Sequence, residues 1–282
     1  MTQRRKIGVI AGGGALPHDV ITGAKEQGWD VYVCALLGFA NVDDFRVPAK
    51  SFGFGEIGGL IKAFRAEDCT HVTFAGTVSR PDFKKIKPDL TGIKLLPKVI
   101  KAAKAGDDAL LKFIVSIFEK EGFEIVAPQD LCEKSVISAG ALGAARPSED
   151  DWVDIQRAMQ IAAVMGQYDI GQGAVVCGGL VLAVEAQEGT DNMLARVAKL
   201  DENIRGTDVA RAGVLAKRLK PEQEERIDLP TIGVNTVEKA AQAGLSGIAV
   251  QAGKAFVLNK QGVRNLADKY GLFVYAVNSD GQ

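Results

Sequence analysis

One short stretch in the second half of the chain combines a carboxylate with three cations. Asp228 lies two residues before Pro230, and Lys217, Lys220 and Arg226 precede it. The proline favours an extended conformation before it. A carboxylate there could hold a divalent cation or accept a proton from water, whereas lysine supplies a point charge and arginine grips phosphate bidentately. The alternative is a turn-capping aspartate beside solvated surface cations.

A second acidic cluster precedes that stretch. It comprises Glu185, Glu188 and Asp191, of which Glu185 and Asp191 are candidate metal ligands. Carboxylate oxygens suit Mg²⁺ and Mn²⁺. In the alternative interpretation, Asp191 complements the dipole in the first turn of a helix that Thr190 caps.

Two glycine-rich stretches could bring backbone amides close to an anion. Gly12–Gly14 follow a predicted strand and precede a predicted helix, and Gly171–Gly173 form a second turn. Backbone N–H groups in such turns can approach phosphate or ribose. The first stretch is not a dinucleotide fingerprint, because Pro17 stands where the third glycine would fall. A tight turn without a ligand is the alternative.

Polar residues in the first half are further candidates for ligand contacts. Arg80 follows Ser79 and could grip phosphate in the way proposed for Arg226. Asp107 and Asp108 begin a long predicted helix. They could bond to sugar or nucleotide hydroxyls, or they could simply complement the helix dipole.

The scarcity of some residue types limits the chemistry available. The chain has two histidines, His18 and His71, and its four cysteines form no C-x-x-C pair. A zinc site of the usual ligands and a histidine-based triad are therefore disfavoured. If catalysis uses a metal, oxygen ligands must hold it, which favours Mg²⁺ or Mn²⁺ and a phosphate-containing substrate.

Composition is typical of globular proteins. Of 282 residues, 47% are hydrophobic, and 34 basic against 35 acidic residues give a net charge of −1. We expect no nucleic-acid partner, because the chain has no overall positive field. We also expect a cytoplasmic protein, since the N-terminus lacks a signal-peptide core and the longest nearly apolar run, Ala174–Val184, cannot span a bilayer. A homodimer is expected for a soluble protein of this size.

The elements that must position these residues alternate between strand and helix, which predicts an α/β fold. An N-terminal domain with a mainly parallel sheet is expected over residues 1–132, a linker rich in Ser, Ala and Gly over 133–147, and a mixed α/β domain over 148–282. The predicted strands include Lys6–Ala11, Asp30–Leu36, His71–Ala75, Glu124–Ala127, Val214–Lys217 and Gly247–Gln251. The predicted helices include Pro17–Gln27, Gly55–Arg65, Asp107–Glu121, Ser148–Gly166, Asp191–Lys199 and Gln261–Tyr270. A hairpin is predicted to turn at Gly178 and Gly179.

The segment Lys84–Lys104 is strongly basic in an otherwise balanced chain. It holds seven lysines against one acid, Asp89, with apolar residues between them. Such amphipathic segments favour anionic bilayer surfaces by about 1 kcal/mol per basic residue near the surface. We therefore expect peripheral contact with an anionic membrane surface. A core-facing helix with a solvated lysine face is the alternative.

Six motifs along the chain are denser in Gly, Asp and Thr than packing requires. They lie at 10–17 (IAGGGALP), 74–81 (FAGTVSRP), 106–111 (GDDALL), 169–176 (DIGQGAVV), 184–191 (VEAQEGTD) and 217–221 (KRLKP), the last continuing through Gln223, Arg226 and Asp228–Gly233 to Thr236. In this order they resemble the UDP-2,3-diacylglucosamine pyrophosphatases of the LpxI type, from lipid A biosynthesis. Each motif is weak alone, but six in register are specific, and the resemblance covers essentially the whole chain.

This resemblance implies a fold, a reaction and a cofactor. The family has a Rossmann-like N-terminal domain and a C-terminal α/β domain of unusual topology. Its members hydrolyse UDP-2,3-diacylglucosamine, a lipid-linked nucleotide sugar, to 2,3-diacylglucosamine 1-phosphate (lipid X) and UMP. The similarity also implies a divalent cation, Mg²⁺ or Mn²⁺, and attack of water on the phosphorus on the sugar side. In such an enzyme, we expect the basic segment Lys84–Lys104 either to guide the protein to peripheral contact with the inner leaflet of the inner membrane or to line the entrance for the acyl chains.

Combined with the resemblance, the residue chemistry gives a set of candidate site residues. Asp228, Lys217 and Arg226 are the catalytic candidates, and Asp228, Glu185 and Asp191 are the metal candidates. The substrate-binding candidates are Gly12, Gly13, Gly14, Gly76, Ser79, Arg80, Asp107, Asp108, Gln172, Gly173, Glu188, Thr190 and Thr231. Two other functions stay open from the residues: a nucleotide- or lipid-binding regulator without turnover, and a nicotinamide-dependent oxidoreductase.

Overall fold

A computed structural model describes residues 5–79, 82, 85–221 and 223–278. Contacts divide the chain into two compact units. The first unit is Met1–Glu133 with Glu224–Asp228, and the second is Lys134–Gln223 with Leu229–Gln282. The second half of the chain therefore contributes a short segment to the first unit, which the division predicted from the sequence does not include.

The first unit alternates strands and helices. Its strands are β1 (Lys6–Ala11), β2 (Asp30–Leu36), β3 (Ala49–Phe52), β4 (His71–Ala75) and β5 (Glu124–Ile125). Its helices are α1 (Leu16–Glu26), α2 (Ile57–Ala66), α3 (Leu90–Ala105), α4 (Asp107–Lys120) and α5 (Pro128–Leu131), with a 3₁₀ turn at Val42–Asp44.

These strands form one parallel sheet in the order β3-β2-β1-β4-β5. The chain runs from β1 outward through β2 and β3 and then returns to the other side of β1, so the strand order reverses between β1 and β4. Open α/β sheets place ligands beyond the carboxyl ends of the strands at such a reversal. The parallel sheet predicted from the sequence is confirmed.

Aromatic packing holds this sheet against its helices. Phe64 of α2 is fully buried, and its ring contacts those of Tyr32, Phe118 and Phe123. Gly8 in β1 makes room for that ring, because a Cβ there would lie 2.4 Å from Phe64 Cε1. A small residue in the central strand thus allows a large aromatic to cover it.

The second unit begins with β6 (Gly140–Ala141) and a long helix, α6 (Glu149–Gln167). Its further strands are β7 (Gly173–Cys177), β8 (Leu180–Val184), β9 (Val214–Lys217), β10 (Thr231–Ile232), β11 (Gly247–Gln251), β12 (Phe256–Val257) and β13 (Phe273–Val277). Its further helices are α7 (Gly189–Val197), α8 (Val234–Gln242) and α9 (Lys260–Tyr270).

The main sheet of the second unit is mixed, in the order β6-β13-β11-β9-β7-β8. Strands β9, β11 and β13 are parallel, whereas β7 runs antiparallel to both β8 and β9. Both faces of the sheet are covered: Leu215 and Val250 belong to one apolar cluster, and Ala216 and Ala249 to the other. The mixed α/β fold expected here is confirmed.

The predicted hairpin turn joins β7 to β8. Gly178 and Gly179 have φ values of 54° and 77°, as a two-residue turn of the primed type requires. The buried carboxylate of Asp154, on α6, accepts hydrogen bonds from both turn amides, at 2.9 Å from Gly178 and 2.7 Å from Gly179. A helix side chain therefore fixes the turn, a contact that the sequence patterns did not predict.

Element boundaries mostly follow the sequence prediction, with several additions. Ser148 caps α6 through a reciprocal capping box with Asp151. Residues 134–147, expected to be a linker, belong to the second unit, because β6 pairs with β13 and Ile137 is buried in its core. The strands β3, β6, β10 and β12 were not predicted, and all of them except β3 span only two residues.

Within the described part of the chain, no helix combines the length and apolarity needed to cross a membrane.

Candidate functional site

Four polar residues of the second unit meet at one edge of its main sheet. Gln172 precedes β7, Glu185 follows β8, and Lys217 and Gln251 end β9 and β11. Because β7 runs opposite to β8, β9 and β11, its beginning lies at the same edge as their ends. Two of these residues, Gln172 and Lys217, were candidates from the sequence for binding or catalysis, and Glu185 for metal.

A chain of hydrogen bonds joins four of the predicted residues at this edge. Lys217 is almost fully buried, at 5% exposed, and its ammonium donates to Thr190 Oγ1 at 2.8 Å and to the Thr231 carbonyl oxygen at 3.3 Å. Thr190 Oγ1 in turn donates to Glu185 Oε1 at 2.6 Å. Glu185 is 7% exposed. The fold thus brings Lys217, Thr190, Glu185 and Thr231 together.

Glycine at position 173 makes this arrangement possible. Gly173 pairs with Lys217 in the neighbouring strand and accepts a hydrogen bond from the Glu185 amide at 2.8 Å. A Cβ on Gly173 would lie 2.7 Å from Glu185 Oε2, and one on Gly171 would lie 2.0 Å from the Glu185 carbonyl oxygen. These glycines therefore allow a close approach of backbone and carboxylate.

Several buried oxygens at this edge lack a hydrogen-bond partner within the described residues. They are Glu185 Oε2, Gln172 Oε1 and Gln251 Oε1. An unpaired buried acceptor costs about 1–3 kcal/mol, more when it is charged. Such groups indicate a place where water or a ligand completes the structure. Gln251 was missed by the sequence analysis; its one signal is a polar residue at the end of an apolar strand.

The remaining acidic candidates of the second unit have protein partners. Glu188 is paired with Arg196 at 2.8 Å, and hydrogen bonds from its own backbone amide and from Arg196 lower its pKa. Asp191 accepts a hydrogen bond from Asn235. Glu188, rather than Thr190, is the N-cap residue of α7. In the alternative interpretation, Asp191 is placed correctly in the first turn, but the cap at Thr190 is wrong, because the Thr190 hydroxyl donates to Glu185 instead.

In the first unit, the predicted glycine loop pairs with the loop after β4. Gly12 donates to the Ala75 carbonyl oxygen at 2.8 Å, and Gly13 and Thr77 exchange two backbone hydrogen bonds, each at 2.8 Å. A Cβ on Gly76 would lie 2.6 Å from the Gly13 carbonyl oxygen. The glycines therefore allow the two loops to approach closely. The amides of Gly12 and Gly13 already donate hydrogen bonds to the carbonyl oxygens of Ala75 and Thr77. Gly14 is exposed.

These loops lie at the carboxyl ends of β1 and β4, where the strand order reverses. Ser79 is exposed at the end of the second loop. Arg80, a further candidate, lies outside the described residues, as does Lys84.

The segment 224–228 is fixed to α4 and α5 of the first unit. The Glu224 amide donates to Asp108 Oδ1 at 3.0 Å, and Gln129 Nε2 donates to the Glu225 carbonyl oxygen at 2.9 Å. Ile227 packs on the apolar core of this unit. Asp228 is partly buried, and its amide donates to the Glu224 carbonyl oxygen at 3.2 Å. The turn that carries Asp228 is therefore anchored to α4 through Glu224 and to α5 through Glu225.

Arg226 is held by two carboxylates of the same unit. It bonds Glu224 through Nε and Nη2, and Glu119 through Nη1 at 2.7 Å. Hydrogen bonds from Arg226 lower the pKa of Glu224, and those to Glu224 and Glu119 raise the pKa of Arg226. Its predicted grip on phosphate would compete with these partners.

Asp107 and Asp108 lie in the first turn of α4, as expected. Asp108 also pairs with Lys112 at 2.7 Å, besides accepting from the Glu224 amide. The structure therefore gives Asp108 a role in fixing the segment that carries Asp228, which the sequence analysis did not foresee.

No group of three or more His, Cys, Asp or Glu side chains that could hold a metal ion occurs among the residues described. Mg²⁺ sites at phosphate substrates often use only one or two carboxylates together with phosphate oxygens and water. The described carboxylates therefore fit a divalent cation only in that shared form.

The fold and these polar edges define an α/β protein of two units, one with a parallel sheet and one with a mixed sheet, whose strand ends carry candidate residues. The chain belongs to the LpxI family, because the model of the LpxI N-terminal domain matches residues 6–135 and that of the C-terminal domain matches residues 138–275.

A curated relative and a solved structure were also found. The chain is 51% identical over 274 residues to the UDP-2,3-diacylglucosamine pyrophosphatase LpxI of Caulobacter vibrioides, covering 97% of this chain and 98% of the relative. The solved structure, CobK precorrin-6A reductase, matches with a TM-score of 0.35 and 13% identity over 97% of this chain and 88% of that one. A likeness that distant has no bearing on fold or function.

Proposed function

We propose that this protein hydrolyses the pyrophosphate bond of UDP-2,3-diacylglucosamine, giving 2,3-diacylglucosamine 1-phosphate and UMP, in lipid A biosynthesis. The observation that carries the proposal is identity of 51% across 97% of the chain to a relative of that name, with both LpxI domain models matched. The protein is accordingly a hydrolase of a phosphorus anhydride.

The residue chemistry fits this reaction. Cleavage of a pyrophosphate depends mainly on positioning and on neutralising the charge that develops on the phosphate oxygens. Lys217 is a nearly buried cation at a polar sheet edge, where reduced water access strengthens its attraction for an anion. Asp228, held on a fixed turn, is the proposed acceptor for a proton of the attacking water.

We further propose that Mg²⁺ or Mn²⁺ is needed, with Asp228 as its principal protein ligand and phosphate oxygens completing the coordination. Such a cation would offset phosphate charge in the transition state. Glu185 and Asp191 are the other predicted metal ligands. They already accept hydrogen bonds from Thr190 and Asn235, and their role as ligands stays a prediction.

Turnover by the purified protein tests the function. Mixed micelles of UDP-2,3-diacylglucosamine with Mg²⁺ should release UMP, and excess EDTA should abolish the release until Mn²⁺ or Mg²⁺ is restored. Asp228→Asn should lower kcat by on the order of 10²-fold or more with KM little changed, because a base acts mainly in the transition state. Asp130→Asn, an exposed acid of the same unit, is the control. Unaltered kcat in Asp228→Asn would remove Asp228 from the mechanism.

We also propose that α3 attaches the protein to the cytoplasmic face of the inner membrane. The exposed face of this helix carries Lys94, Lys98, Lys101 and Lys104, which recur at helical spacing. Leu90 and Ile93 share that face and are 81% and 55% exposed. Val99 and Ala103 bury the opposite face. An anionic lipid surface matches both the charge and the exposed apolar side chains.

Liposome flotation tests this attachment. Replacing Lys94, Lys98 and Lys101 with glutamine should weaken binding to vesicles of anionic phospholipid by about 3 kcal/mol, on the order of 100-fold. The same change at Lys25, Lys62 and Lys120, exposed lysines on other helices of this unit, is the charge-matched control. Equal loss in both triple variants would show a general charge effect and contradict a specific lipid-binding face.

We propose a homodimer formed through β8. This strand ends the sheet order, and Leu180 and Val181 on it are 55% and 41% exposed. An apolar edge strand without lysine or proline is suited to pairing with its own copy about a two-fold axis. Leu180→Lys should shift the protein from dimer to monomer in analytical ultracentrifugation, whereas Val209→Lys should not. A wild-type monomer at micromolar concentration would refute the dimer.

A further inference from the structure

The buried carboxylate of Glu185 is connected to Lys217 through a threonine hydroxyl. It is 7% exposed, and its Oε1 accepts the Thr190 hydroxyl proton at 2.6 Å. A threonine hydroxyl has one proton, so its oxygen is left to act as an acceptor. Lys217 Nζ donates to that same oxygen at 2.8 Å. The carboxylate thus sets the direction of both hydrogen bonds.

The two hydrogen bonds from Lys217 to Thr190 and from Thr190 to Glu185 form a relay. The Lys217 ammonium is left with one N–H that has no acceptor among the described residues. A lysine ammonium carries three donors, and those of Lys217 meet two acceptors among the described residues, Thr190 Oγ1 and the Thr231 carbonyl oxygen. Both acceptors are attached to defined elements, the start of α7 and β10. Two fixed acceptors restrict rotation about the Cε–Nζ bond, so the third N–H has a fixed direction.

Glu185 itself is held in place from its backbone side. Its amide donates to the Gly173 carbonyl oxygen at 2.8 Å, and the missing side chains at Gly171 and Gly173 leave room for it. Its Oε2 is buried without a partner within the described residues. A buried charged oxygen is costly when unpaired, which argues that this carboxylate is kept for something other than stability.

We propose that Glu185 is a positioning residue, which acts through the Thr190 hydroxyl to aim the third N–H of the Lys217 ammonium at a phosphate oxygen of the substrate. The proposal rests on the proposed function for the identity of that anion. In this proposal, Glu185 itself contacts neither the substrate phosphate nor the attacking water. Losing the relay should therefore leave substrate binding nearly intact and reduce transition-state stabilisation, because misdirected donors weaken catalysis more than binding.

Substitutions that keep size but change hydrogen bonding test the relay. Thr190→Val removes the hydroxyl and should lower kcat by on the order of 10-fold to 100-fold, with KM changed by less than about threefold. Thr190→Ser restores the hydroxyl and should recover kcat to within about threefold of wild type. Thr207→Val, which removes a hydroxyl from a turn of the same unit, should leave kcat unaltered.

A double-mutant cycle separates positioning from a structural role. In a Lys217→Met background, Thr190→Val and Glu185→Gln should cause little further loss of kcat, because the group that they position is gone. Additive losses would show that Thr190 and Glu185 act independently of Lys217 and would overturn the proposal. Failure of Thr190→Ser to recover activity, in a protein whose melting temperature matches wild type, would do the same.

The relay also has a readout that needs no turnover. In ¹⁵N-lysine-labelled protein, the Lys217 ammonium should give a slowly exchanging Nζ signal in wild type and Thr190→Ser and lose it in Thr190→Val. An equally protected signal in Thr190→Val overturns the positioning proposal even if UMP release is never observed. Conversely, the Lys217 signal could be protected in wild type and Thr190→Ser and unprotected in Thr190→Val, while no hydrolysis of the nucleotide lipid is observed. That result would support the relay and refute the proposed function.

Discussion

Arg226 grips Glu224 through two parallel hydrogen bonds, from Nε to Oε1 at 2.8 Å and from Nη2 to Oε2 at 2.9 Å. Glu224 and Arg226 lie four and two residues before Asp228, in the turn that a hydrogen bond from the Asp228 amide to the Glu224 carbonyl oxygen closes. Fork-shaped pairing of this kind gives geometric specificity as well as energy. The contact therefore links the shape of the candidate catalytic turn to the ionisation of a neighbouring side chain.

The pair predicts a pH dependence of stability. Hydrogen bonds from Arg226 lower the pKa of Glu224 from its ordinary value of 4.5. Its contribution is therefore complete above about pH 4.5 and is lost as the pH falls through the lower, folded-state value. Urea unfolding of wild type and Glu224→Gln should differ most near pH 6 and converge at low pH. A constant difference across this range would contradict the prediction.

Removing the buried ammonium should destabilise the second unit. Lys217→Met keeps the length of the side chain but leaves the Glu185 charge uncompensated, which should lower the free energy of unfolding by about 3 kcal/mol. Adding Glu185→Gln neutralises the leftover carboxylate and should regain part of that loss. Urea denaturation of the single and double variants measures both steps. A double variant less stable than Lys217→Met would show that the two side chains are not coupled.

The hairpin turn should depend on Asp154. Asp154→Ala leaves the amides of Gly178 and Gly179 without their acceptors, which should cost about 2–3 kcal/mol, measured by chemical denaturation. Hydrolysis measured well below the melting temperature should stay near wild type. Asp150→Ala, an exposed acid in the first turn of the same helix, should change stability by about 0.5 kcal/mol or less. Equal losses in the two variants would argue against a specific role of the buried carboxylate.

The cysteines should be inert in the folded protein. Burial raises the pKa of Cys69 to about 11 and that of Cys132 to about 12, and it also raises the pKa of Cys34 and Cys177. Because the thiolate is the reactive form, native protein at pH 8 should take up almost no iodoacetamide over an hour, whereas protein in urea should react at all four positions. Rapid alkylation of a single cysteine in native protein would contradict its burial.

Local patterns in the sequence predicted the elements best where they were long and regular. The strands Lys6–Ala11, Asp30–Leu36 and Val214–Lys217 were placed to the residue, because buried strands of a parallel sheet form apolar runs bounded by polar residues. The helix capped by Ser148 was equally clear. The two-residue strands β10 and β12 have too few positions to show any period, and only their pairing defines them.

The sequence predicted which residues belong to the candidate site, but not which hydrogen bonds connect them. Lys217, Thr190, Glu185 and Thr231 were singled out, yet the sequence could not show that one hydrogen-bonded chain joins Lys217 to Glu185. Such a link depends on strand order, which brings β8, β7 and β9 side by side. The partners of Arg226 were likewise hidden, since Glu119 is distant in sequence and only the return of 224–228 to the first unit brings it near.

That return has a consequence for how the chain can be made and dissected. The first unit is discontinuous, so a fragment ending at residue 133 would lack the apolar side chain of Ile227 and the cation that balances Glu119. During synthesis, the last native contacts of the first unit can form only after residues 224–228 have left the ribosome. Expressing it alone should therefore yield a loosened, aggregation-prone product, and attempts to divide the gene at the apparent boundary would separate Asp228 from the framework that shapes it.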